Sequence, residues 1–228
     1  MQVAIALLTC VAFAAAVPAF AQTATDRPVH RFEISVGGGL LGGESLGAAD
    51  ANLRANDRTP QSFRLFATSS DIARAPLWYA RVAYSLSRRF LLEGALTKGH
   101  PDIRVSVTSD AEDAAAATIT ETVDQYFIDG SVLIMLDELR IGARLVPYAA
   151  AGGGYLRQLH EGHTLVEHGG VYNAGGGVKY WLLNRRSGVV RTAGLRGDAR
   201  AYLLHGGISF EDRVRLRLAV SGSVFVGF

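Results

Sequence analysis

From Val214 to Phe228 every second residue is apolar or small: Val214, Leu216, Leu218, Val220, Gly222, Val224, Val226 and Phe228. Between them stand Arg213, Arg215, Arg217, Ala219, Ser221, Ser223 and Phe225. Successive side chains of a strand point to opposite faces, so this segment has one apolar and one largely polar face. A soluble sandwich strand has the same period but commonly ends after about 5–6 residues, whereas a strand tilted near 45° needs about 9–11 to cross a bilayer. The length of the alternation therefore predicts a membrane-crossing strand.

The period recurs upstream. Trp78, Ala80, Val82, Tyr84 and Leu86 oppose Tyr79, Arg81, Ala83 and Ser85, and Ser87-Arg88-Arg89 turns the chain into Phe90, Leu92, Gly94 and Leu96, which reads as a hairpin. Around His100-Pro101 the phase slips to Ile103, Val105 and Val107, and a bulge over 99–101 is expected there. Tyr126 to Leu136, the glycine-rich stretches starting at Leu145 and Val171, and Thr192 to Tyr202 continue the pattern. With Phe32 to Leu41 as the first, the strands number eight. Glycine within such strands is expected to leave room for large side chains across a narrow lumen.

Compact turns near 87–89, 137–144 and 184–190 alternate with longer connections at 42–75, 109–118, 157–170 and 203–212. Short periplasmic turns and long external loops give outer-membrane barrels this asymmetry. Within 42–75, "SFRLFATSS" is a candidate strand extension above the membrane. Trp78, Tyr84, Phe90, Tyr148, Tyr180 and Phe228 lie at segment ends and suit interface girdles. The expected fold is all-β: one domain over 22–228, an eight-stranded antiparallel up-and-down transmembrane β-barrel.

Residues 1–21 read as a signal peptide. An apolar run from Val3 to Ala16 precedes Val17-Pro18-Ala19-Phe20-Ala21, with small residues at the positions that precede cleavage after Ala21. The run falls short of the roughly 20 residues that span a bilayer as a helix. The single cysteine, Cys10, lies inside it, so the mature chain would have neither disulfides nor thiolate metal sites. No later apolar run approaches a transmembrane helix. A formal net charge of +2 with dispersed arginines gives no footprint for nucleic acid.

The terminal "LAVSGSVFVGF", ending on Phe228, and the strands "PYAAAGGGY" and "YNAGGGVKY" resemble the small outer-membrane β-barrel family that includes the transmembrane domain of OmpA and the OmpX-like proteins. The resemblance implies a location in the bacterial outer membrane. It also implies that the barrel-assembly machinery reads the final aromatic strand, with Phe228 as the recognition residue. A monomer in contact with outer-membrane lipid and lipopolysaccharide is the expected state.

Eight strands enclose an interior that side chains just fill, so a polar plug is expected. Candidates for it are Arg81, Glu93, Arg104, Asp129, Lys179, Arg196, Asp198, Arg200, Arg215 and Arg217. Buried charges must be paired, and the excess of arginine over acid implies that some of them sit near the mouths in water. The cluster reads as structural, with a narrow channel for small solutes as the alternative.

His160, His163 and His168, half of the 6 histidines, gather with Glu161 and Glu167 in one segment. Imidazole and carboxylate could hold zinc or copper, but the spacing departs from the H-E-x-x-H helix pattern, and a solvated loop is the preferred reading. His205 and Ser209, with Glu211 nearby, invite comparison with barrel lipid A deacylases, whose histidine and serine stand two apart. Four apart on one strand they lie beyond hydrogen-bond reach. The runs "GGGLLGG" and "AGGGY" lie in strands with no helix to present its N-terminus to a phosphate. Neither an enzyme nor a cofactor is expected, and the anticipated role is structural or surface interaction.

Overall fold

The computed structural model describes residues 31–56, 59–108, 115–160, 165–185, 187–208 and 214–228. The expected signal peptide lies outside them. In chain order the strands are β1 (Phe32–Leu41), β2 (Glu44–Asn56), β3 (Thr59–Ile72), β4 (Ala75–Ser85), β5 (Phe90–Gly99), β6 (Asp102–Thr108), β7 (Ala117–Thr122), β8 (Asp124–Met135), β9 (Leu145–Leu159), β10 (Val166–Asn184), β11 (Thr192–Gly206) and β12 (Arg215–Gly227). Among the described residues no helix is long and apolar enough to cross a membrane.

Eight strands close into an antiparallel barrel in the order β1-β12-β11-β10-β9-β8-β5-β4. These are the eight whose alternation the sequence carries. One circuit along paired residues runs Ser85, Leu91, Leu133, Ala150, Gly175, Arg200, Ala219, Leu41 and back to β4 at Ala75. The stagger is therefore 85 − 75 = 10 residues. With eight strands it corresponds to a strand tilt of about 40°.

The alternation has a definite sense. Val36 (59% exposed), Leu195 (48%) and Val220 (64%) point outward, while Glu33, Arg81, Glu93 and Arg196 point inward and are buried. This polarity is the inverse of a water-soluble barrel. Of the aromatics, Trp78, Tyr84, Phe90, Tyr180 and Phe228 lie on the outer face, whereas Tyr148 is buried in the lumen. Tyr148 is therefore a packing residue and not part of a girdle.

Inward glycines make room for the neighbouring strand, not for side chains across the lumen. Gly177 pairs with Tyr148, and a Cβ there would lie 2.7 Å from the Tyr148 ring carbon that bears the hydroxyl. Gly194 stands in the same relation to the Phe225 ring. A large side chain leaning over a paired glycine holds register in a curved sheet. Gly177→Val should therefore displace Tyr148 and cost about 1–3 kcal/mol, the usual scale of overpacking. The measurement is the urea midpoint of the refolded protein, with Gly170→Val, whose Cβ would meet nothing within 4 Å, as the control expected to stay near wild type.

At His100-Pro101 the chain does not bulge within one strand. It leaves the barrel, and β6 joins a second sheet of order β2-β3-β6-β7. Proline has no N–H for a ladder, so a break between two sheets suits it better than the interior of one. Within the 42–75 connection β2 and β3 pair antiparallel, and "SFRLFATSS" lies within β3. Leu46, Ile72, Ile103 and Val123 form a small core where this sheet meets the barrel mouth, with Val105 and Ile208 packed against it.

Candidate functional site

The lumen is layered. Toward the short turns, Leu91, Leu133, Met135, Val146, Trp181 and Phe225 belong to one apolar cluster. Toward the long connections, Leu41, Leu77, Phe127, Leu156, Tyr202 and Leu204 belong to another. Inward Leu41, Leu91, Met135, Val146 and Phe225 build these layers near strand ends, although Glu33, Gln125, Gln158 and Arg215 are polar inward residues that also lie near strand ends.

Between them lie three guanidiniums and three carboxylates. Glu93 is the hub: its carboxylate accepts from Arg196 Nη1, from Arg196 Nη2 at 3.3 Å and from Arg200 Nη2 at 2.6 Å, with Arg81 Nε 3.9 Å away. Asp198 accepts from Arg81 Nη1 at 2.9 Å, from Arg196 Nη2 at 2.9 Å, and from the Tyr148 hydroxyl. Asp129 accepts from Asn173 Nδ2 at 3.0 Å and faces Arg200 Nη1 at 3.9 Å. Ser131 donates to Asn173 Oδ1 at 3.1 Å and accepts from Arg200 Nη1 at 3.3 Å. Tyr79 and Tyr148 carry guanidiniums over their rings, Arg81 at 3.9 Å and Arg196 at 4.8 Å from the centroids. The layer balances charge for charge, and a buried ion costs least when it is both paired and hydrogen-bonded.

The residues anticipated as one lumen cluster thus divide. Arg81, Glu93, Asp129, Arg196, Asp198 and Arg200 meet in the central layer. Lys179 stands apart, nearer the turns, where its Nζ is 2.5 Å from Glu33 Oε1 and 5.2 Å from the Phe225 ring centroid. Arg217 and Arg215 lie at the mouth, facing Glu44 at 3.8 and 3.3 Å. Arg217 also donates to Gln125 Oε1 and to the Gly42 carbonyl, both at 2.9 Å, and Arg215 donates to the carbonyls of Gly206 and Ile208. These two arginines clamp the second sheet and the β11–β12 connection to the barrel. Burial holds the Glu44 carboxyl above the ordinary carboxylate range, against the opposing pull of Arg215 and Arg217. Arg104 is not a lumen residue: it is exposed on β6, because the phase slip carries that strand out of the barrel.

Sequence reasoning did not name Glu33, Glu44, Gln125, Ser131, Asn173 or Tyr148 as partners. Glu33 and Ser131 share the inward phase of their strands, a usable signal. Glu44 has none, since it lies in a long connection.

The histidine segment is not gathered at one point in the described residues. His160 Nδ1 is 2.9 Å from Glu121 Oε1, and His168 Nδ1 meets the Tyr155 hydroxyl with the two rings stacked. His163 and Glu161 lie outside the described residues, as do Ser209 and Glu211. His205 is exposed near the end of β11. Phe228 closes the seam between first and last strands: its N–H donates to the Phe32 carbonyl at 2.8 Å, and its own carbonyl accepts from Arg31 N–H at 3.0 Å.

No protein-family model matches the chain, and no curated protein matches it. Among solved structures, the Neisserial surface protein A is similar in fold, with a TM-score of 0.53 at 13% identity, over 86% of this chain and 97% of that one. The translocator domain of the autotransporter NalP from Neisseria meningitidis aligns over 89% of this chain and 90% of its own at 12% identity, but its TM-score of 0.32 is too low to support an argument. The first of these shares the closed β-barrel fold at an identity that speaks to fold alone.

Proposed function

We propose that this chain is a monomeric outer-membrane barrel with a closed lumen. It anchors the β2-β3-β6-β7 sheet and its neighbouring connections at the cell surface, for contact with lipopolysaccharide or external partners. The observation that carries this reading is the balanced ionic layer sealed between two apolar layers, inside a wall whose outer face is apolar. Hydrocarbon offers no water to backbone groups, and a closed barrel satisfies all of them internally. The fold relative's name, Neisserial surface protein A, is in keeping with this reading.

A conducting path would need a continuous polar file of water, which the Leu91/Leu133/Met135 and Leu41/Leu156/Leu204 layers interrupt. In planar bilayers the refolded protein should therefore give no unitary current steps. Steady steps would transfer the assignment to the narrow solute channel. Heat-modifiable gel migration together with recovery in the outer-membrane fraction tests the barrel and its location, and a soluble periplasmic protein would end the proposal. The same fractionation on Phe228→Ala tests recognition by the assembly machinery, since an undiminished yield removes that role. We regard the chain as non-enzymatic, and a change in lipid A mass spectra on its expression would reverse that.

A further inference from the structure

The strand cations of the barrel divide very unevenly between its two faces. Arg81, Lys179, Arg196, Arg200, Arg215 and Arg217 all point inward and are buried. Lys98 on β5 and Arg157 on β9 are the other two, and both reach the outer face. They are not scattered on it. Lys98 pairs with Tyr126, and Tyr126 pairs with Arg157, so the three form one row across β5, β8 and β9. At about 4.8 Å per strand, the two cationic stems stand roughly 10 Å apart. Lys98 Nζ lies 5.1 Å from the Tyr126 ring centroid.

This row borders an apolar groove of about 540 Å³, lined by Val36, Trp78, Ala80 and Leu96 and rimmed by Lys98 and Tyr126. The groove exists because outward neighbours on these strands are small: Gly38 pairs with Trp78, Ala80 with Leu96, and Gly94 with Val82. One acid stands close by. Asp124 is 3.9 Å from Lys98 and 2.5 Å from His100 Nδ1, and it offsets part of the positive charge. No carboxylate lies within ion-pair distance of Arg157 among the described residues.

We propose that Lys98, Tyr126 and Arg157, with the groove that Lys98 and Tyr126 rim, bind one molecule of a bisphosphorylated, acylated glycolipid from the leaflet on the long-connection side. Its phosphates would sit on the two cations and an acyl chain in the groove. The proposal rests on the outer-membrane reading above and adds the site and the lipid class. The occupant follows from the charge pattern: two cations roughly 10 Å apart fit two phosphates on one rigid headgroup, whereas a glycerophospholipid with one phosphodiester engages a single cation. An interfacial cation is worth about a fivefold change in affinity for an anionic lipid.

The test is native mass spectrometry of the full-length refolded protein in micelles, with bisphosphoryl lipid A, monophosphoryl lipid A, phosphatidylglycerol and phosphatidylethanolamine added in turn. One retained bisphosphoryl lipid A per barrel is expected, with retention about fivefold weaker for the monophosphoryl form. Lys98→Gln and Arg157→Gln should each weaken binding about fivefold and together at least tenfold, while Lys98→Arg retains it. Equal retention of phosphatidylglycerol, or binding unchanged in the double variant, overturns the site. Normal heat-modifiable migration of every variant shows that the barrel has formed, so failure of the site is distinguishable from failure of the outer-membrane reading. A wild-type protein without that migration would refute both.

Discussion

Glu93→Ala should destabilise the refolded barrel by about 3–5 kcal/mol, the largest effect expected from a single substitution in this protein. Glu93 is 1% exposed and serves Arg196 and Arg200 by hydrogen bonds and Arg81 by proximity. Its loss leaves three guanidiniums facing two carboxylates in a layer sealed from water at both ends. Urea-induced unfolding in lipid vesicles measures it. The comparison is Arg89→Ala, which removes an exposed contact to Glu138 and should fall within about 1 kcal/mol of wild type. If Glu93→Ala were equally mild, water would reach the central layer, and the sealed lumen would have to be abandoned.

Val220→Arg is expected to cost about 2–4 kcal/mol, for a different reason. Val220 lies mid-strand on β12 between Leu40 and Ala199, 64% exposed on the apolar outer face. In water such a substitution is nearly free, since surface changes usually stay within about 0.5 kcal/mol. In hydrocarbon the guanidinium must be desolvated or drawn up to the interface. Leu53→Arg supplies the control: Leu53 is 57% exposed on β2, in the sheet outside the barrel, and should tolerate the charge. Vesicle refolding titrations of both variants separate the solvents that the two surfaces meet. Equal tolerance would mean that the belt is not buried in lipid.

The eight barrel strands were legible because each inward position meets a crowded lumen and each outward position an apolar surround. Selection for two opposite environments writes a strict period of two, clearest in β12. The outer sheet lacked that imprint. β2 reads ESLGAADANLRAN, with alanines, asparagines and a glycine where a strand buried on one face would show branched or aromatic residues. β6 did show alternation, but Ile103 and Val105 serve the small core shared with Leu46, Ile72 and Val123 at the barrel mouth, not the barrel wall. The slip at His100-Pro101 therefore marks a change of sheet, and this is why Arg104, polar in its strand's alternation, lies outside the lumen. In the lumen the charged residues were visible from their phase, whereas their sorting into a central hexad, the Lys179–Glu33 pair and the mouth clamp depended on stagger. A ten-residue stagger brings mid-strand positions of β4, β5 and β11 together, and no local pattern encodes it.

The β3–β6 ladder joins the first long connection to the second, pairing Ala67 through Ile72 with Thr108 through Ile103. Two hairpins separated by two barrel strands are thereby one surface unit. In an evolving population such a unit cannot drift piecemeal: a residue exchanged at 67–72 is judged against its partner at 103–108. Variation should accordingly concentrate away from this ladder, and an insertion or epitope graft that leaves its six pairs intact should preserve both hairpins.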